Sequence, residues 1–421
     1  MAKERRIFPR GTINRPINPC DLPIGLISNM DNDYAHSKPF TPIGYTNFRN
    51  QHKLFGIKLQ DRFSHVYSIG KTGSGKTTLL LNMVIDDIYK GYGVCLIEPH
   101  GDACKRLLEH IPDDRKKDVI YFNATDQIHR TGFNPLLNVP IEERHLVASE
   151  IVISFKKIWA DSWGPRLEYI LRFAILTLLE YPTATLLDIQ PLLLDQAFRN
   201  MVLLYADNTA IQSFWHNEFD KYPSVLKAES IMPILNKAGV FTANAVLKSI
   251  VGQQESISVE EVMNNGKILI CNLSKGIIGE DVSQILGSLL TTSIQTAAMR
   301  RAKQSDQERK PFFVYIDECH SFITNSFATM LSEIRKYKVG LFLTHQYLDQ
   351  LPEEVRSSIL GNVGSIICFR LGTADAKIMS EEFYPVFKVD DFIKLSTFNI
   401  YIKLLIDGVG SRAFSAEIKR L

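Results

Sequence analysis

The chain has 421 residues, 45% hydrophobic and 22% charged, the composition of a soluble globular protein with room for two or three domains and a large core. Its net charge is only +2, which argues against a surface that coats polyanions, so any nucleic-acid contact has to come from a local basic lining. Six cysteines form no C-x-x-C pair, which disfavours disulfide and zinc frameworks, and the longest apolar stretch, Tyr169 to Tyr181, is interrupted by Arg172 and Glu180 and too short to span a bilayer. A cytoplasmic protein is expected, with no direct membrane insertion.

Residues 1–50 carry little periodicity and several Pro, Asn and Asp, and read as an extended N-terminal arm. Lys3, Arg5, Arg6, Arg10 and Arg15 in it fit a solvated tail or an arm that touches nucleic acid. A compact motor domain then starts, with its first part over 51–140. His65 to Ile69 is a short β-favouring run, and Thr78 to Tyr89 is rich in Leu, Met and Ile without Gly or Pro. Between them stands Gly70-Lys71-Thr72-Gly73-Ser74-Gly75-Lys76-Thr77, which fits G-x-x-x-x-G-K-[ST] without a mismatch. Strand, Gly-rich turn and helix are the context this phosphate-binding loop needs.

The residue types follow from the ligand. A triphosphate is a dense anion, and a helix N-terminus offers free N–H groups and a positive dipole end. Glycines without a Cβ let the backbone wrap closely. Lys76 can reach the β- and γ-phosphates, and the Thr77 hydroxyl can ligate Mg²⁺. The nucleotide-binding set is therefore Gly70, Thr72, Gly73, Ser74, Gly75, Lys76, Thr77 and Thr78, with ATP and Mg²⁺ as the expected ligands.

After the turn Gly91-Tyr92-Gly93, Val94 to Ile97 reads as a buried strand ending in Glu98-Pro99-His100-Gly101-Asp102, and Asp118 to Phe122 as another. Apolar strands alternating with helices predict an α/β fold with a mostly parallel sheet. Its ligands sit at the carboxyl ends of the strands. Glu98, His100 and Asp102 fall on that edge, to order a loop or to hold a metal. From 141 to 262 helical periodicity replaces strand signals, as in Glu168 to Leu179 and Ser230 to Val251, and predicts an inserted all-α domain. Its tryptophans, Trp159, Trp163 and Trp215, suit a core or a surface that stacks on bases.

The motor domain resumes over 263–421. Lys267 to Cys271 is a strand, Asp281 to Arg301 a long helix, and Phe312 to Ile316, Val339 to Thr344 and Ser365 to Phe369 are further strands. Phe398 to Ile406 and Arg412 to Ile418 flank Asp407-Gly408 as a terminal hairpin. The Phe312 strand ends in Asp317-Glu318. Asp317 can hold Mg²⁺, and Glu318 can accept a proton from the attacking water. Gln346, after the Val339 strand, can orient that water or bond the γ-phosphate, or it is a plain surface amide. Lys156, Lys157, Arg166 and the loop Ser274-Lys275-Gly276 are the candidate DNA contacts.

The segments Ile69 to Leu80, Ile97 to Asp102, Phe133 to Leu136, Tyr315 to Phe322, Thr344 to Gln346 and Gly361 to Gly372 together resemble the FtsK–HerA superfamily of ring-forming ATPases. Within it the chain looks most like the soluble motor of type IV secretion coupling proteins, the TraD/TrwB-like branch, over about residues 55–408. The resemblance implies a RecA-like P-loop core, a homo-hexamer with DNA of either strandedness in its pore, and ATP hydrolysis at subunit interfaces. It also implies a partner protein such as a nuclease, relaxase or membrane complex. Arg335 resembles the arginine region of the superfamily and is expected to act on a neighbour's phosphate, with Arg370 as its rival. A DNA translocase used in conjugation or secretion heads the functional readings. A protein-translocating secretion ATPase and a nucleotide-gated scaffold for a partner nuclease or effector stand beside it.

Overall fold

The computed structural model describes residues 38–47, 52–126, 128, 130–324, 327 and 330–420. The five basic residues of the expected arm and most of that arm lie outside this range.

The apolar runs form strands buried on both faces, as a sheet covered by helices requires. In chain order they are β1 (Phe40–Thr46), β2 (Leu54–Lys58), β3 (Val66–Ile69), β4 (Gly93–Glu98), β5 (Val119–Asn123), β6 (Ile268–Asn272), β7 (Phe312–Ile316), β8 (Val339–His345), β9 (Ser365–Cys368), β10 (Asn399–Lys403), β11 (Leu405–Ile406), β12 (Val409–Gly410) and β13 (Phe414–Ile418). Among the described residues, eleven of them make one sheet in the order β2-β1-β13-β10-β9-β3-β8-β7-β4-β6-β5. From β9 to β5 every neighbouring pair is parallel. The remaining strands are antiparallel additions. The terminal hairpin reading holds for β10 and β13, which pair antiparallel.

The first part of the chain departs from expectation. β1 lies between β2 and β13 within the sheet, so Phe40–Thr46, expected as part of an extended arm, is a strand of the sheet. The strand signal is masked by Pro42 and Gly44. They flank a register shift against β2, where a proline is tolerated inside a sheet. Gly44 is required by close approach, since a Cβ there would stand 2.1 Å from the Glu417 carbonyl oxygen.

Between β5 and β6 the described residues form helices and no strand, among them Arg144–Ile158, Pro165–Glu180 and Ser224–Ala243. Asn134 pins the start of this insertion. Its backbone N–H donates to Ser256 Oγ at 2.8 Å and its Nδ2 to the Ala184 carbonyl at 2.8 Å. The insertion shares its hydrophobic core with one face of the sheet. The long helix Glu280–Arg300 mediates this, and Ser154 Oγ of helix Arg144–Ile158 lies 3.2 Å from its Thr292 Oγ1. Trp215 is fully buried with its Nε1 donating to Thr177 Oγ1 at 2.8 Å, which makes it a core residue and excludes stacking on bases.

Candidate active site at the carboxyl edge of the sheet

β3 ends at Ile69, and the chain turns through Gly73 (φ 73°) and Gly75 (φ 117°) into helix Lys76–Tyr89. Both angles lie in the region that glycine tolerates best. Gly70 has a second reason: a Cβ there would meet Phe369 Cβ at 2.5 Å. Lys71, Thr72 and Gly73 are exposed, Thr77 and Thr78 half-buried, and Ser74 and Lys76 buried. The Lys76 ammonium donates to the carbonyls of Gly70 at 2.6 Å and Lys71 at 3.2 Å. Burial holds its pKa below the usual lysine range, against the pull of Glu318 and Asp317. Ser74 Oγ is buried without a hydrogen-bond partner.

The pairing of β3 with β8, and of β8 with β7, brings distant segments to this loop. Asp317 leaves β7 and accepts the Glu318 N–H at 3.0 Å. Glu318 sits in the left-handed region at φ 47°, an uncommon place for a non-glycine residue and one that clusters at functional sites. Its Oε1 accepts from Gln346 Nε2 at 2.9 Å, and Gln346 Oε1 accepts from Thr72 Oγ1 at 3.0 Å. An unbroken line thus runs from the phosphate-binding loop through Gln346 to the second acid, so Gln346 is no plain surface amide. The other carboxylate oxygen of Glu318, Oε2, has no hydrogen bond and lies 3.4 Å from His320 Nδ1.

Electrostatics fit a magnesium nucleotide. Burial first, then Glu318 and Glu98, push the Asp317 carboxyl up to about 7. Buried acids this close need a cation to stay ionised together. Thr77 and Asp317 are the residues that would share such a cation with phosphate oxygens, while Lys76 and Ser74 are placed for the phosphates themselves. Glu98 settles the role of its own loop. It accepts the N–H groups of His100 at 2.7 Å and Gly101 at 2.5 Å, which orders the turn. Among the described residues no group of three His, Cys, Asp or Glu is arranged to hold a metal.

The structure gathers Thr72, Ser74, Lys76, Asp317, Glu318 and Gln346 and leaves Arg335 apart. Arg335 is exposed on the 3-10 turn Ile334–Tyr337, before β8 begins. Seven residues of β8 separate that turn from Gln346, or roughly 23 Å of strand. Arg370 instead lies beside the loop of its own subunit, where its carbonyl accepts the Lys71 N–H at 2.8 Å. Of the DNA candidates, Lys156 and Arg166 are exposed. Lys157 is withdrawn, because its ammonium donates to the His320 carbonyl at 2.9 Å. Ser274 is buried and donates to the His100 carbonyl at 2.7 Å; Lys275 is half-buried and Gly276 exposed. Sequence reasoning missed His320, although it stands two residues after Glu318, and it missed Phe398, whose N–H donates to the Ser74 carbonyl at 2.9 Å.

Comparison with known proteins finds chains of similar fold. The chain is similar in fold to plasmid coupling protein TrwB in complex with the non-hydrolysable ATP analogue ADPNP (TM-score 0.66, 15% identity, covering 87% of this chain and 88% of that one). It is similar to TrwB in complex with ADP and Mg²⁺ (TM-score 0.64, 14% identity, 87% and 88%). VirB4 of Thermoanaerobacter pseudethanolicus also matches (TM-score 0.61, 13% identity, 94% and 98%). A search of curated proteins returns no match. The profile of the type IV secretion-system coupling protein DNA-binding domain matches residues 54–383, the greater part of the chain, and the chain therefore belongs to that family of coupling proteins.

Proposed function

We propose that this chain is an ATP-driven motor that moves DNA, assembling as a homo-hexamer and hydrolysing ATP where its subunits meet. The observation that carries the reading is the line of hydrogen bonds from Thr72 through Gln346 to Glu318. It joins the loop that holds the triphosphate to the acid that takes the proton. Lys76 leaves the carbonyls of Gly70 and Lys71 and pairs with the β- and γ-phosphates. Thr77 and Asp317 would hold Mg²⁺, which would neutralise charge on the phosphates. Gln346 orients a water, and Glu318 removes its proton as it attacks the γ-phosphorus while the bond from that phosphorus to the β–γ bridging oxygen breaks, so that ADP and phosphate leave. Gln346 also reports the presence of the γ-phosphate back to the loop through Thr72.

Family membership supports DNA as the cargo. TrwB, the coupling protein of similar fold, has been seen with ATP-analogue and ADP–Mg²⁺ complexes, and both ligands suit the residues gathered here. Residues 141–262 serve as the all-α domain inserted into the motor, with Lys156 and Arg166 on its exposed side and Lys275 at the end of β6 as the DNA contacts. Arg335 is too far from its own site and acts on the neighbour's phosphate, where an arginine supplied in trans stabilises transition-state charge. No described helix is long and apolar enough to cross a membrane. As a member of the coupling-protein family, the motor is proposed to work in the cytoplasm, beside a relaxase, nuclease or membrane complex.

The test is phosphate release by the purified chain without nucleic acid, with single-stranded DNA and with double-stranded DNA, its native mass being measured alongside. Turnover raised by DNA in a hexameric ring is expected. Turnover indifferent to DNA but raised by a protein would move the assignment to a protein translocase. Mixed rings test Arg335: Arg335→Ala and Lys76→Ala are each inactive alone and regain turnover when combined. Full activity of Arg335→Ala rings removes it from the mechanism, and the same loss with Arg370→Ala moves the role there.

A further inference from the structure

Lys157 stands in the last turn of helix Arg144–Ile158, within the helical insertion. Its ammonium points inward to the motor and donates to the carbonyl of His320 at 2.9 Å. His320 belongs to the short turn Cys319–Ser321 that follows Glu318. No carboxylate contributes to the charge balance of Lys157, and burial alone pushes its pKa down to about 7, with only Cys319 opposing. An ammonium desolvated against one neutral carbonyl is a poor way to fill space, because a methionine of similar length carries no such penalty.

What the lysine reaches is a closed ring of side chains around the second acid. His320 Nδ1 approaches Glu318 Oε2 at 3.4 Å, and His320 Nε2 lies 3.3 Å from Gln350 Nε2. Gln350 Oε1 accepts the backbone N–H groups of Gln346 and Tyr347, each at 3.2 Å. Gln346 Nε2 closes the ring on Glu318 Oε1 at 2.9 Å. Glu318 itself is in the left-handed region, so its carboxylate is aimed by how the turn after it is held. The Lys157–His320 hydrogen bond therefore ties the end of helix Arg144–Ile158 to the turn that carries this carboxylate.

We propose that Lys157 is a positioning residue through which the helical insertion sets the carboxylate of Glu318, so that DNA engaged by the insertion controls the rate of ATP hydrolysis. This rests on Glu318 being the base that activates water. Lys157 touches neither nucleotide nor water; it acts through the His320 carbonyl. Methionine at 157 keeps the length and apolar stem and removes the donor. Arginine keeps a donor.

The experiment measures kcat and KM for ATP, with and without double-stranded DNA, in full-length Lys157→Met, Lys157→Arg and Glu318→Gln, with thermal unfolding of each. Lys157→Met should lose at least fivefold in kcat and most of its stimulation by DNA, with KM within twofold and a melting temperature no lower than the parent's. Lys157→Arg should restore kcat to within about threefold of the parent. A Lys157→Met enzyme with parental kcat and stimulation overturns the proposal. So does a kcat loss that comes with an equal rise in KM, or one that arginine does not rescue. Should the methionine variant fail to fold, Lys157→Gln, whose amide is too short to reach the carbonyl, carries the same expectation. Glu318→Gln separates this idea from the one beneath it. If that variant hydrolyses ATP like the parent, the base is misassigned; if it binds ATP without turnover while Lys157→Met is normal, only the positioning role falls.

Discussion

The two edges of the parallel sheet are built on opposite terms. At the carboxyl edge, Ser74 Oγ, Glu318 Oε2, His320 Nδ1 and Thr344 Oγ1 are buried without hydrogen bonds, and burial, then the nearby Glu318 and Glu98, push the Asp317 carboxyl up to about 7. At the amino edge, polar groups just as deeply buried are satisfied. Arg301 donates to Asn264 Oδ1 and to the carbonyls of Met263, Lys310 and Tyr337. His65 is held by the Leu331 carbonyl at 2.8 Å and the Leu341 N–H at 3.2 Å. Buried polar groups are normally paired. Arg144 Nε, Arg199 Nε and Ser288 Oγ, on helices away from this edge, also lack partners; what sets the carboxyl edge apart is that its unpaired atoms stand beside the phosphate-binding loop and Asp317, where a ligand would complete them.

That contrast fixes what each substitution should do. Glu318→Gln at the carboxyl edge should reduce turnover by roughly 100-fold or more, since the amide cannot take the proton. ATP should stay bound and the unfolding midpoint unchanged; parental turnover would show that the unpaired edge is not the catalytic one. Arg301→Leu at the amino edge should do the reverse. It takes a donor from four acceptors, of which the Met263 carbonyl keeps the Gly266 N–H at 3.4 Å, and should cost about 2–4 kcal/mol of stability, read by urea unfolding, with kcat per folded molecule retained. Gln346→Ala cuts the line between Thr72 and Glu318. Loss of a hydrogen bond to a charged group predicts about a 10-fold or greater fall in kcat, with little change in the affinity for ADP.

The smallest effect concerns pH. The Asp317 carboxyl is raised from 3.8 to about 7 in the nucleotide-free fold. A raised carboxyl favours the protonated folded state. Its contribution to stability is therefore complete below 3.8 and is lost as pH rises through about 7. Asp317→Asn removes this dependence, so the nucleotide-free variant should melt a few degrees above the parent at pH 8 and level with it at pH 4. A variant less stable than the parent at pH 8 would mean that a local partner, not a bound cation, balances the charge.

Legibility in the sequence followed the same division. The phosphate-binding loop and the Asp317-Glu318 pair could be read because their spacing answers to a ligand, and β3, β7 and β8 could be read because buried parallel strands are apolar throughout. The departures are long-range. β1 was hidden because Pro42 and Gly44 answer to β2 and β13, which lie elsewhere in the chain. Lys157 reads as a surface cation by sequence, since nothing near it announces a carbonyl 163 residues away. His320 and Gln350 enter the site only once β7 and β8 are paired. The registers that bring them together are a property of the folded sheet.

If hydrolysis at this edge moves DNA, the ring should push a protein block off it. Double- and single-stranded DNA carrying a terminal biotin–streptavidin block are incubated with the assembled chain and ATP. The account predicts ATP-dependent release of streptavidin on at least one substrate by the parent, and none by Glu318→Gln under conditions where both bind DNA equally. Hydrolysis by the parent without release from either substrate, or equal release by Glu318→Gln, would contradict it.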